Sequence, residues 1–511
     1  MFDIREVLTG LGLSARHPGS HSSATGWLGA DATVHIDAIN PSTGETTAQL
    51  GGATEQDYER IAAAALEAHR TWRMVPPPRR GELMTRIGEL CAQHHDLLGR
   101  IVAIDTGKSV AEGKGEVKEV IDMARLAAGQ SRMLYGFTQQ SQRARHRMYD
   151  QWLPLGVVGI ISAYNFPAAV WAQNGFLAAI GGNTVIWKPS PKVPLTALAL
   201  QRIAEQAMQE LDMPGVFSLY LPESDKAAGR LVEDPRISMI SFTGSTRVGK
   251  WVAETVGQTL GRRYMLECSG NNGCIVDETA DLNLAARSIT FGVVGTTGQR
   301  CTSTRRVIVH RSVAKAFTEK LAQCFAQIKV GDPREEGALV GPLIDKAAVG
   351  HFEQAVAQAQ QLGAKVVFGG KRIDRPGWYV EPTIIANARN EWPCLQHETF
   401  APIVYVVEYD TFDEALDMHN GVAQGLASGI HSTHLHNIER FLSAEGSDCG
   451  IAKVNMGTTG ADVGASFGGE KETGGGRTAG SDAWKGYMRR QSVCINWSGE
   501  SPWDKLLKLE G

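Results

Sequence analysis

The sequence has little excess charge of either sign: across 511 residues, 51 Lys and Arg face 55 Asp and Glu, for a net charge of −4. Without a basic excess, or a Lys/Arg cluster alternating with aromatics, nothing points to a nucleic-acid partner. Long apolar runs are missing too. The longest, Leu155 to Ala163, is too short to span a bilayer. The start of the chain, Met1-Phe-Asp-Ile-Arg-Glu, carries early charges and no apolar signal core, so a cytoplasmic protein without membrane contact is expected. None of the 8 cysteines forms a Cys-x-x-Cys pair, which argues against a zinc site or a thioredoxin-like motif. Scattered thiols suit a reducing compartment, and a chain this long needs no disulfides to hold its core. No metal is implied. Internal repeats and low-complexity segments are absent. No Gly-x-Gly-x-x-Gly loop follows the first strand of the alternating region, and the P-loop-like run Gly244 to Lys250 ends in Trp251 where magnesium chemistry needs Ser or Thr.

What is present centres on Cys301, in Gly298-Gln-Arg-Cys-Thr302. A Gly-rich approach from Gly292 to Gly298 predicts flexibility and close substrate access, and the neighbouring Arg300 predicts a thiol of lowered pKa. Glu267 closes a predicted strand, Tyr264 to Glu267, and Asn165 sits where another strand meets a turn in Ala163-Tyr-Asn-Phe-Pro167. A thiol nucleophile, a carboxylate base and an amide donor are the parts needed to make and break an acyl-thioester. Gly244, Ser245 and Val248 open a helix after a strand ending at Phe242, where backbone N–H groups can hold a pyrophosphate.

Helical spacing marks Glu55 to Ala68, Arg79 to Leu98 and Glu116 to Ala128, after an unpatterned Gly/Ser/His-rich arm over residues 1 to 30. From Gly156 onward strand and helix patterns alternate, which implies a mainly parallel sheet under helices. A second alternating series runs from Gly273 to about residue 450. The junction falls near Glu267, at an interface where clefts form. Arg143 to Leu155 reads as a polar strand.

Asn165-Phe-Pro, Trp187-Lys188-Pro189, Phe242-Thr-Gly-Ser245, Glu267, Gly298-Gln-Arg-Cys301 and Glu398-Thr-Phe-Ala-Pro402 stand in the order seen in aldehyde dehydrogenases. The resemblance covers roughly residues 30 to 500. Gly270-Asn271-Asn272, Gly446-Ser-Asp-Cys-Gly450 and Phe467-Gly-Gly-Glu-Lys471 resemble the antiquitin branch, whose members oxidise α-aminoadipic semialdehyde. Cys268-Ser269 departs from both patterns, and Pro191 stands where many family members have a glutamate.

The resemblance implies an α/β aldehyde dehydrogenase fold. A Rossmann-like NAD domain would cover 1–138 and 156–267, an α/β catalytic domain 268–450, and a small β oligomerisation arm 139–155 and 480–511. It implies NAD as cofactor and a homodimer or homotetramer. Cys301 would be the nucleophile, Asn165 the oxyanion donor and Glu267 the general base. Lys188 would bind the adenosine ribose, and Glu398 and Phe400 would orient the nicotinamide end. Arg300 and Glu119 would clamp the carboxylate and α-ammonium of an amino-acid aldehyde, helped by Gly460 and Ala461, with Trp171 and Phe467 lining the aliphatic span. Taken alone, Asn165 reads first as a turn residue and Glu119 first as a solvated helix glutamate, and Phe400, Trp171 and Phe467 can be read as core.

Rival readings make different demands. An aldehyde dehydrogenase for aliphatic, aromatic or betaine-type aldehydes would share the chemistry and differ at the amino-acid anchor. A CoA-acylating enzyme has little need of Glu267. A cysteine amidase or thioesterase wants a histidine base, and the motif segments contain only His397.

Overall fold

Five parallel strands form the middle of the larger sheet, in the order Arg263–Glu267, Ile237–Thr243, Val157–Ile161, Thr184–Lys188 and Phe217–Leu219. Two of them, Val157–Ile161 and Thr184–Lys188, are largely apolar and buried because helices cover both faces. The computed structural model describes residues 2–460, 462–501 and 503. Antiparallel additions complete the eight-stranded sheet: Gly474–Gly475 beyond Glu267, and Ser20–Ser22 with Gly26–Leu28 at the opposite edge.

Those edge strands give the N-terminal arm, unpatterned in sequence, a fixed place in the sheet. Residues Ser20 to Ser22 are buried, and Ser20 Oγ accepts the Leu221 N–H at 2.8 Å. Small polar side chains fit the sheet edge here by bonding backbone, a signal that hydrophobic periodicity does not carry.

A seven-stranded sheet follows, ordered Lys365–Phe368, Thr383–Ala386, Ile403–Tyr409, Thr304–His310, Asn272–Val276, Ala427–His431 and Ile451–Val454. It is parallel except for its first pair. A separate three-stranded antiparallel sheet joins Met488–Asn496, His146–Pro154 and Thr138–Gln139, in register from Met488↔Pro154 to Asn496↔His146.

The predicted helices exist with shifted ends. Helix Glu55–Trp72 opens with a Thr54/Asp57 capping box. The expected Arg79 to Leu98 helix divides into Pro77–Gln93 and His95–Thr106. Helix Val110–Gln130 begins earlier than apolar spacing suggested, because Ser109 caps it by accepting the Glu112 N–H. Among the described residues no helix is long and apolar enough to cross a membrane.

Candidate active site

Asn165 follows the carboxyl end of strand Val157–Ile161, Lys188 ends its strand, Gly244 follows Thr243, and Glu267 ends Arg263–Glu267. In open α/β sheets this edge is where ligands bind. Cys301 and Glu398 arrive from loops preceding strands of the second sheet. Together they line a cleft of about 880 Å³ whose walls include Cys301, Glu267 and Asn165, and beyond them Lys188, Gly244, Ser245, Val248, Glu398 and Phe400.

The segment before Cys301 is held, not flexible. After helix Leu282–Val294 the chain makes a buried 3₁₀ turn, Gly295–Gly298, with Thr296 and Thr297 at φ 52° and 55°. Such left-handed non-glycine residues cost on the order of 1–3 kcal/mol each and persist only where surroundings hold them. Glu112 does so: its Oε1 accepts the Thr296 N–H at 2.7 Å, the Thr296 hydroxyl at 3.1 Å and Arg300 Nη2 at 2.7 Å. Gly298, at φ +68°, lies so close to Ala401 that a Cβ would fall 2.3 Å from its backbone. From behind, Asn272 Nδ2 donates to the Cys301 carbonyl at 2.8 Å and to Ser303 at 2.7 Å. Asn272 thus fastens the Cys301 loop, while Asn271 fastens the short helix Pro393–Gln396 by donating to the Leu395 carbonyl at 2.7 Å.

Arg300 does not acidify the thiol as its sequence position suggested. Its guanidinium turns to Glu112 and lies 5.0 Å from the Phe291 ring and 5.4 Å from that of Phe166. Burial pushes the Cys301 thiol up to about 12, with Glu267 and Glu398 adding repulsion and Arg305 opposing. Arg305 is the cation facing the thiol. It pairs with Glu398 at 3.3 Å and lies 5.5 Å from the Phe400 ring. Burial raises Glu398 to about 7, with Arg305 opposing.

Glu267 is buried, and neither carboxylate oxygen has a partner in good hydrogen-bond geometry among the described residues, although the Gly469 N–H faces it. Burial raises it to about 8. A buried acid with free lone pairs beside a thiol can hold and deprotonate a water. Asn165 is also buried, and its backbone carbonyl accepts Lys108 Nζ at 2.6 Å.

The groups along the cleft fit a dinucleotide. Among the described residues, Lys188 Nζ bonds only its neighbour's carbonyl, Pro189 O, at 3.2 Å, which leaves donors for a ribose. Burial lowers it to about 8, with Asp225 pulling back. Ser245 caps helix Thr246–Gly257 by accepting the Val248 N–H, so the amides left for a phosphate are those of Thr246 and Arg247. Cys268 packs its sulfur against Gly249, where a Cβ would sit 2.4 Å from it, and Ser269 accepts the Thr246 hydroxyl at 3.0 Å.

The substrate-side residues divide. Glu119 accepts Gln173 Nε2 at 2.5 Å; burial, with Glu116 adding repulsion, raises it to about 7, and Lys108 and Arg300 pull it back. Gly460 is exposed at φ +81°, its carbonyl bonded by Lys453. Ala461 lies outside the described residues. Phe467 is half-buried, its N–H bonded to Ala479 O at 2.9 Å. None of Arg300, Glu119, Gly460, Phe467 and Trp171 lines the cleft that holds Cys301. Trp171 is wholly buried, stacked 5.2 Å from Trp187 and edge-on to Phe176 and Phe217, so it is a core residue. Periodicity could not separate a core tryptophan from a lining one. Glu112, Arg305, Phe166 and Phe291 escaped sequence reasoning because only tertiary contacts give them a role.

The aldehyde dehydrogenase family profile matches residues 27–493. The chain belongs to the aldehyde dehydrogenase family. It is 43% identical over 492 residues to aldehyde dehydrogenase family 7 member A1 of Pisum sativum, covering 96% of each chain. It is 42% identical over 503 residues to alpha-aminoadipic semialdehyde dehydrogenase of Mus musculus, covering 98% of this chain and 92% of that one. Among solved structures, an NAD-dependent aldehyde dehydrogenase from Sinorhizobium meliloti superposes with a TM-score of 0.91 at 29% identity, covering 98% of both chains. The aldehyde dehydrogenase fold expected from the motifs is the observed one.

Proposed function

We propose that this aldehyde dehydrogenase oxidises L-2-aminoadipate 6-semialdehyde, the open form of piperideine-6-carboxylate, to 2-aminoadipate with NAD. The observation that carries the chemistry is the convergence of Cys301, Glu267 and Asn165 on the cleft that Lys188, Glu398 and Phe400 also line. The Cys301 sulfur forms a bond to the aldehyde carbon while Asn165 donates to the oxygen as it gains charge. NAD, when bound, supplies the acceptor for the hydride that leaves that carbon. The resulting thioester on Cys301 is hydrolysed by a water whose proton passes to the Glu267 carboxylate, and 2-aminoadipate departs.

The substrate reading rests on Arg300 and Glu119 and on the names of the pea and mouse relatives. Arg300, bonded to Glu112 and flanked by Phe166 and Phe291, would turn its remaining donors to the carboxylate, and Glu119 would be the acid for the α-ammonium. Gly460, Ala461 and Phe467 would complete the amino-acid end. Asp225 beside Lys188 adds negative charge where an NADP 2′-phosphate would lie, which supports NAD despite Pro191.

The eight-stranded sheet is the core of a cofactor domain (1–138 and 156–267), the seven-stranded sheet that of a catalytic domain (268–450), and the three-stranded sheet the core of an oligomerisation arm (139–155 and 480–511) of a cytoplasmic homodimer or homotetramer. The deciding experiment compares NADH formation with aminoadipate semialdehyde and with hexanal. A large kcat/KM preference for the semialdehyde is expected. Comparable values would refute the substrate assignment and leave the dehydrogenase, whereas no NADH with either would refute both.

A further inference from the structure

Beneath the Asn165 loop lies a buried ion pair that none of the proposed steps uses. Lys108 and Glu116 are 1% and 0% exposed at their side chains and meet at 2.7 Å. Lys108 Nζ also donates to the Asn165 carbonyl at 2.6 Å and sits 4.1 Å from the centre of the Phe166 ring. On the other side, Glu116 Oε1 accepts the N–H of Ala168 at 2.7 Å and of Ala169 at 3.1 Å. Helix Ala169–Ile180 starts there with Ala168 at its N-cap and no cap of its own. Glu116 therefore caps that helix from a neighbouring helix, Val110–Gln130, and puts a carboxylate at its positive end.

Among the described residues, the hydrogen bonds that the two side chains make beyond each other all fall on one short segment, Asn165 to Ala169, although both charges also act on Glu119. The segment's first carbonyl is held by the ammonium and its last amides by the carboxylate. Burying two charges is an expensive way to gain stability, since apolar side chains of similar volume fill such a space at least as well. What apolar side chains lack is direction. Charge-assisted bonds onto backbone carbonyl and amides fix where the segment sits and how it is turned.

Resting on the reading of Asn165 as oxyanion donor, we propose that Lys108 and Glu116 are positioning residues that hold the Asn165 amide at the distance and angle the reacting carbonyl oxygen requires. Neither touches substrate or cofactor. Both act through the backbone on either side of Asn165.

A double-mutant cycle tests this in the full-length enzyme. Glu116→Gln keeps the shape of the side chain but removes the counter-charge of Lys108. Lys108→Met with Glu116→Gln removes both charges together and guards against a misfolded single variant. Each is combined with Asn165→Ala, and kcat, aldehyde KM and NAD affinity are measured. With Asn165 present and hexanal as the aldehyde, which has no α-ammonium for Glu119 to meet, kcat should fall about tenfold or more, as expected for a misplaced catalytic group, while KM and NAD affinity change less than about threefold. With Asn165→Ala already made, the same substitutions should change kcat less than about twofold, because the group they position is gone. Losses that multiply independently in the two backgrounds overturn the proposal alone. Unchanged kcat in both charge variants overturns it as well. Full kcat in Asn165→Ala overturns the oxyanion assignment and this inference with it.

Discussion

The raised ionisation of Glu267 gives the most exacting test of the hydrolytic step. Burial moves its carboxyl from the ordinary 4.5 to about 8, with the Gly469 N–H and Arg477 only partly compensating. The sign follows directly. The folded value lies above the ordinary one, so the base form accumulates only as pH rises, and activity is lost on the acid side. About one Glu267 in eleven is ionised at pH 7, about half at pH 8 and about nine-tenths at pH 9. A step limited by this base should therefore accelerate about tenfold from pH 6 to 7, about fivefold from 7 to 8, and then level off.

Rapid mixing separates the two half-reactions, because NADH formed in the first turnover reports thioester formation and the steady state reports its hydrolysis. In Glu267→Gln the first-turnover burst should persist while steady-state turnover falls by about 10²–10⁴, the usual worth of a general base. The limb near pH 8 should vanish from what remains. An unchanged acid limb in Glu267→Gln, or an equal loss of burst and steady state, would refute the assignment. A wild-type midpoint near the ordinary carboxylate value would refute the argument from burial.

Arg300→Ala should raise KM for aminoadipate semialdehyde about ten- to hundredfold, the range of a hydrogen bond to a charged group, and leave KM for hexanal nearly unchanged; equal changes for both aldehydes would remove the carboxylate clamp. With its ionisation pushed up to about 12, Cys301 in the NAD-free enzyme should react with iodoacetamide at pH 8 more than about a hundredfold slower than N-acetylcysteine, and its rate should still climb beyond pH 10. Rapid labelling of Cys301 at pH 7, located by peptide mapping, would refute that.

Much of the architecture was legible because its signals are local. The largely apolar strands Val157–Ile161 and Thr184–Lys188 and the helix between them carry their own periodicity, and their order implies the parallel sheet. That Cys301, Glu267 and Asn165 would meet in one cleft was legible for a related reason, from strand ends, turns and the order of the family's motifs. The rest depends on partners distant in the chain. Glu116 reads as one more helix glutamate until its carboxylate is seen capping helix Ala169–Ile180. Trp171 has the composition of a pocket wall, and only its stack on Trp187 assigns it to the core. Ser20 to Ser22 look like linker until Ser20 meets Leu221.

The state of the nucleophile shows what sequence adjacency conceals. Arg300 is the residue bonded to Cys301 in the chain, yet Glu112 and the rings of Phe166 and Phe291 draw its charge elsewhere. Arg305, further along the chain, faces the sulfur, and Glu398 partly neutralises it. Neighbouring carboxylates and burial then outweigh the one opposing cation. The resting thiol is thus held mainly in its protonated form. Attack on an aldehyde needs the thiolate only transiently, so a high resting value is compatible with turnover provided the proton has somewhere to go. The ionised fraction of Glu267, the unpartnered carboxylate whose charge Cys301 feels, is the group available to take it. Acylation would then share the alkaline preference of hydrolysis, and in Glu267→Gln the burst would keep its amplitude but form more slowly. A burst lost in amplitude would instead mean that Glu267 is needed to bind or orient the aldehyde.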